Sequence, residues 1–207
     1  MRARIAAVIE EGLEIYDRFD RTVRERSFHP FVAADYGQVL ERLIAIRESD
    51  ARPDTTRTFL ELGSATGVIT IIADLLGFDA VGIELDASLV DVARRLAARY
   101  ESKAQFAVGS FLPAGYRWRA PTGDARMGTI GSGPSAYLQL GRALDDFDVV
   151  YAYPWDGESS IIIDLVTRYG GPDVQLLLMD PVEGLSSLYP NRISSSSRPI
   201  WDSSPSS

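Results

Sequence analysis

With 207 residues, 45% of them apolar, and no cysteine, the chain has the size and core content of one domain that folds without disulfides. Thiolate metal ligands are excluded, and a single histidine excludes a multi-histidine site, so no metal is expected. The net charge of −8 disfavours nucleic acid as a partner unless a local basic patch overrides it, and no run nears the ~18 apolar residues of a membrane span.

Nothing resembling a charged and then apolar leader opens the chain, and a cytoplasmic location is expected. Residues 1–56 read as a helical cover: Ile5, Val8, Ile9, Leu13, Ile15 and Tyr16, then Val39, Leu40, Leu43, Ile44 and Ile46, recur at helical spacing. The two helices are interrupted near Phe28-His29-Pro30-Phe31. Residues 57–187 read as an α/β core in which short apolar runs alternate with helical patterns. Strands are expected at 58–62, 80–84, 104–108, 147–152 and 174–179, and helices at about 67–77, 87–100 and 158–169. Gly77 and Gly170-Gly171 stand where helices should stop, glycine being tolerant of the left-handed cap. Residues 113–146 are long for a connection and are expected to form part of a substrate lid, with a helix near 134–144. Gly131-Ser132-Gly133-Pro134 within it suits a plain turn or a ligand loop. From Leu188 the composition turns to serine, so 188–207 is expected to be a disordered tail that leaves room for five or six strands. The whole reads as a doubly wound, mostly parallel sheet.

In such a sheet, ligands bind beyond the carboxyl ends of the strands, where strand order reverses. Glu61-Leu62-Gly63-Ser64-Ala65-Thr66-Gly67 falls at the end of the first strand, and its small residues let a ligand approach the backbone and the next helix's free N–H groups. A plain tight turn would use the same glycines. Glu84 closes the second strand, where a carboxylate can accept from both hydroxyls of a ribose; Asp86 is the better N-cap for the following helix. Val68 stands where a dinucleotide fingerprint needs its third glycine, so the loop suits a nucleoside without a pyrophosphate.

Taken in order, these segments resemble the class I S-adenosylmethionine-dependent methyltransferases. Glu61 to Gly67 is similar to their first motif, with Ala65 in place of the middle glycine. Gly82-Ile83-Glu84-Leu85-Asp86 resembles the segment whose acid holds the cofactor ribose, and Gly109-Ser110-Phe111-Leu112 the third-strand motif that holds adenine, with Ser110 in place of an aspartate. The resemblance implies S-adenosyl-L-methionine as cofactor, contacted by Glu61, Gly63, Ser64, Ala65, Thr66, Gly67, Glu84, Leu85, Ser110 and Phe111.

Tyr153-Pro154-Trp155 resembles the [ND]-P-P-[YFW] tetrapeptide that amine-methylating members carry beside the transferable methyl, with Tyr153 replacing the Asn or Asp. These three are the catalytic candidates: the two aromatics can surround a cationic nitrogen or the sulfonium, or simply pack. Asp156 is a substrate candidate, whereas Glu158 reads as a helix cap. Phe28 to Tyr36 resembles a segment of the small lysine methyltransferases related to the ATP-synthase c-subunit modifier, which makes Asp35 and Tyr36 pocket candidates. His29 is a candidate base or only a loop residue. The acceptor is read as a basic small molecule or protein side chain. The competing readings are a nicotinamide-dependent oxidoreductase and a cofactor-binding regulatory protein without catalysis.

Overall fold

Along Thr58–Leu62 (β1) successive side chains point to opposite faces, Phe59 and Glu61 to one, Leu60 and Leu62 to the other, and all four are buried. Burial on both faces is what a parallel strand between two helical layers requires. The computed structural model describes residues 1–23, 31–49, 55–118, 130–131, 133–155 and 157–192.

The remaining strands are Asp79–Glu84 (β2), Gln105–Val108 (β3), Val149–Ala152 (β4), Gln175–Asp180 (β5) and Gly184–Leu188 (β6). They lie in the order β3-β2-β1-β4-β5-β6, parallel except for β6, which returns antiparallel along β5. The chain winds outward from β1 through β2 to β3, then crosses back to begin β4 on the other side of β1. That reversal is the switch point of a doubly wound sheet. The fold is therefore the Rossmann-like α/β architecture expected above.

Val68–Leu75 (α3) and Ala87–Arg99 (α4) pack on one face, joined there by Arg2–Val23 (α1) and Tyr36–Glu48 (α2). Tyr137–Leu140 (α5) and Ser159–Tyr169 (α6) cover the other. Helix α1 approaches α3 at Gly12, where a Cβ would lie 2.6 Å from Val68 Cγ2. Arg4 of α1 donates to the carbonyl of Tyr100, and the Tyr100 hydroxyl donates to Glu11 at 2.9 Å, fastening α1 to the end of α4.

Three expectations need correction. The helix of the 113–146 connection is only α5, because Gly141 adopts φ 62° and ends it; a short 3-10 turn, Leu144–Asp146, follows. Gly77 has the left-handed φ expected of it, 91°, but Gly170 does not: at φ −82° and ψ 159° it is extended. Glycine suits that place because a Cβ would stand 2.6 Å from the Val166 carbonyl oxygen. Leu188, expected to open the tail, instead ends β6 and pairs with Leu176 in the sheet. Just beyond, the Asn191 amide donates to the carbonyls of Gly170 and Gly171, both at 3.1 Å, satisfying acceptors at the end of α6. Residues 193–207 lie outside the described residues.

Candidate functional site

The turn between β1 and α3 is tied to β2 before it reaches the helix. Gly63 and Ser64 both donate their N–H groups to the Ile83 carbonyl at 2.9 Å, and the chain then passes Ala65 and Gly67 with φ of 45° and 77°. A Cβ on Gly67 would lie 2.5 Å from the Phe106 ring and 2.8 Å from Ala93. The close helix packing that a third glycine would otherwise supply comes from β2 instead: a Cβ on Gly82 would meet Ser64 at 2.7 Å and Thr70 Oγ1 at 2.9 Å.

Glu84 fixes this turn from the end of β2. Its Oε2 accepts from Ala65 N at 2.9 Å and its Oε1 from Asp86 N at 3.0 Å. Burial pushes the Glu84 carboxyl above its usual range, against the pull of those backbone bonds. Asp86 caps α4, accepting from Ser88 N at 2.8 Å, and so leaves Glu84 free of that role.

Beneath the turn lies an acid removed from water. Glu61 is 4% exposed; its Oε2 accepts from Thr70 N at 3.0 Å and from the Thr70 hydroxyl. Burial raises its pKa to about 8, outweighing the Thr70 bonds. Tyr151 sits beside it in register on β4, and Tyr153 follows on the same face. The Tyr151 hydroxyl and Ser64 Oγ are buried and have no hydrogen-bond partner. Burial, then the nearby Glu61, drives the Tyr151 phenol well above its ordinary range. Tyr153 is pushed up by burial first and then by Asp180 and Tyr16.

A cover closes the cleft from above. Phe31, packed edge-on against Tyr16 and at a tilt against Phe19 with centroid distances of 5.4 and 4.9 Å, lines it with Val32, Ala34 and Tyr36. The space left is about 40 Å³, room for about three waters.

The fold thus brings Tyr36, Glu61, Gly63, Ser64, Ala65, Thr66 and Tyr153 to one cleft, with Glu84 bracing its rim. Asp35 does not line it. Its Oδ1 caps α2 by accepting from Gln38 N at 3.0 Å, and its Oδ2 takes the Gln38 amide at 2.8 Å. Pro154 and Trp155, which follow Tyr153 in the chain, are not among the residues that line it. Ser110 and Phe111 face inward: the Ser110 hydroxyl donates to the Gly131 carbonyl at 2.9 Å and accepts from Leu112 N at 3.2 Å, while Phe111 is buried in the second core face. Leu85 rests on Gly131 and Gly133, where added Cβ atoms would lie 2.2 and 3.1 Å from it. Asp156 and His29 lie outside the described residues. Tyr151 was missed, although Val149-Val150-Tyr151-Ala152-Tyr153 alternates and places both tyrosines on the Glu61 face.

Ala65 carries a left-handed backbone that costs an L-residue roughly 1 kcal/mol. Ala65→Gly relieves that strain while loosening the unfolded chain by a similar roughly 0.4–1 kcal/mol, so its melting temperature is expected to match or slightly exceed wild type in a thermal melt.

Fold and site together define a doubly wound α/β protein with a small cleft at the switch point of its sheet. No family model and no curated protein sequence matches the chain. Among solved structures it is similar to an RNA methyltransferase from Salinibacter ruber in complex with S-adenosyl-L-homocysteine, at 19% identity over 72% of this chain and 78% of that one, with a TM-score of 0.46. It is similar also to a SAM-dependent methyltransferase from Thiobacillus denitrificans in complex with S-adenosyl-L-homocysteine (20% identity, 77% and 53% coverage, TM-score 0.43). A third is a SAM-dependent methyltransferase from Agrobacterium tumefaciens (12% identity, 67% and 42% coverage, TM-score 0.44). The chain spans only 53% and 42% of the length of the last two. All three fall below a TM-score of 0.5, and the fold assignment rests on strand order and the turn after β1.

Proposed function

We propose that this protein is an S-adenosylmethionine-dependent methyltransferase whose acceptor is a basic amine of a small molecule or a protein, drawn in as its cation and attacking only once its proton has passed to solvent. The observation that carries the reading is the turn Gly63–Gly67, pinned at Ala65 by Oε2 of Glu84 over a buried acid and a Tyr151 hydroxyl with no hydrogen-bond partner. Its donor set suits a nucleoside joined to an amino acid: Glu84 for ribose hydroxyls, the turn's backbone for close approach, and Ser64, Glu61 and Tyr151 for the polar amino-acid end. Bound there, the cofactor would supply a sulfonium methyl group, whose bond to sulfur breaks as the acceptor's lone pair bonds to carbon and S-adenosylhomocysteine leaves.

What the chain contributes is alignment and exclusion of water. Phe31, Tyr36 and Tyr153 wall the cleft with aromatic faces, and Tyr153 has Asp180 as an acidic neighbour. Aromatic faces and carboxylates together favour a cation, each aromatic contact contributing up to about 2 kcal/mol when desolvated. The nicotinamide reading loses support because the one lysine, Lys103, precedes β3 at the end of the sheet opposite the cleft, its N–H donating to Asp74 at 2.9 Å.

Calorimetry with S-adenosylmethionine, S-adenosylhomocysteine and NAD tests this. Wild type is expected to bind both sulfur compounds and both variants to bind them at least about tenfold more weakly, Glu84→Ala through loss of a charge-assisted hydrogen bond and Gly63→Val because a branched side chain at φ 77° distorts and fills the turn. Binding of NAD alone transfers the assignment to an oxidoreductase, and binding of none removes it. Turnover on a panel of amines, lysine peptides and RNA separates an enzyme from a regulatory subunit.

A further inference from the structure

Two carboxylates are buried among the described residues, Glu61 and Glu158, and only the first belongs to the cleft. Glu158 immediately precedes α6, where an acid ordinarily caps the helix, yet its side chain makes no cap bond. It turns the other way. Oε2 accepts from Trp155 N at 3.1 Å, and Glu158 N donates back to the Trp155 carbonyl at 3.0 Å, so Trp155 is held at both of its backbone groups. Oε1 accepts from Ile130 N at 3.2 Å.

Ile130 is fully buried at the returning end of the long connection between β3 and β4. Its neighbour Gly131 takes the Ser110 hydroxyl, and Ser110 in turn exchanges backbone bonds with Pro134 and Ala136 at 2.9 Å. One carboxylate therefore joins the turn after β4, which carries Tyr153 into the cleft, to the connection that packs against Leu85 and the end of β3. A buried backbone N–H needs an acceptor, and two such groups from distant segments need one acceptor with two oxygens.

We propose that Glu158 is a positioning residue for methyl transfer, holding the Tyr153–Trp155 turn and the returning β3–β4 connection as one unit. The proposal rests on the methyltransferase reading. Glu158→Gln keeps the length of the side chain but offers one oxygen, its amide facing the second N–H with another donor. Glu158→Asp keeps both oxygens but is one methylene short of them.

The test uses the full chain and three readouts: amide exchange at Trp155 and Ile130, S-adenosylhomocysteine binding, and kcat and KM on the acceptor that the panel identifies. In Glu158→Gln, exchange at both amides is expected to quicken by about tenfold or more while β1 and β4 keep their protection, as a local rather than global opening requires. S-adenosylhomocysteine affinity stays within about threefold of wild type, and kcat falls about tenfold or more with KM little changed, the pattern of misplaced reacting groups. Unchanged exchange at the two amides, protection lost evenly through the chain, or a local change that spares kcat each overturns the proposal and leaves the methyltransferase reading intact. Failure of wild type to bind S-adenosylhomocysteine, or to turn over any acceptor, overturns both.

Discussion

Raising the pH from about 5 to about 8 is expected to weaken the fold by roughly 1.4 kcal/mol per unit, through Glu61 alone. In the unfolded chain this carboxyl titrates at its ordinary 4.5, but in the folded protein burial raises it to about 8. Between those values the native state holds a proton that the unfolded state has released, so stability falls as pH rises. The contribution is fully present below about 4.5 and is lost as pH climbs through about 8. Glu84, raised in the same direction by burial, adds to the slope. Glu61→Gln mimics the protonated acid, still accepts from Thr70, and removes about one proton's worth of slope. Urea unfolding at four pH values across this window measures it; parallel curves for wild type and Glu61→Gln would show that another group titrates.

Gly67→Ala is the second change with a large expected effect, roughly 2–5 kcal/mol of destabilisation. Part is the left-handed φ of 77°, which costs an alanine roughly 1–2 kcal/mol. The rest is overpacking, because the new Cβ would stand 2.5 Å from Phe106 and 2.8 Å from Ala93, both fastened in the core. Gly115 supplies the control: its φ is 88°, but a Cβ there meets nothing within 4 Å. Gly115→Ala should therefore lose only the backbone part. A melting temperature for Gly67→Ala no lower than that of Gly115→Ala would mean that α4 and β3 yield around the new methyl group. A shift of roughly 2–4 °C per kcal/mol, usual for chains of this size, makes the difference easy to read.

Element by element, α/β alternation was legible because each strand and helix declares itself within its own stretch. The run from Phe59 to Leu62 and the cap at Asp86 use neighbours a few residues away, and the small residues from Gly63 to Gly67 mark a turn even though Ile83 and Glu84 of β2 are what hold it. Ser110 shows where such reading stops. As a substitute for an adenine-binding acid it is a short polar side chain at a strand end, but its hydroxyl is committed to Gly131, twenty-one residues ahead. Glu158 is a helix cap by its position and a clamp by its contacts, because Ile130 N arrives at the same point from a separate segment.

Periodicity and turn chemistry placed β1 to β5, α3, α4 and α6, the acids of the first two strands and the small residues between them, but not β6, whose antiparallel return along β5 reaches into what reads as a serine-rich tail. Tertiary structure alone decided that Glu61 is sealed from water while Glu84 braces the turn, that Tyr151 faces Glu61 without a partner, and that Gly12 lets α1 close on Val68. The physical reason is that desolvation, and the satisfaction of a buried polar group, depend on atoms brought together from distant parts of the chain by packing, about which local pattern carries no information.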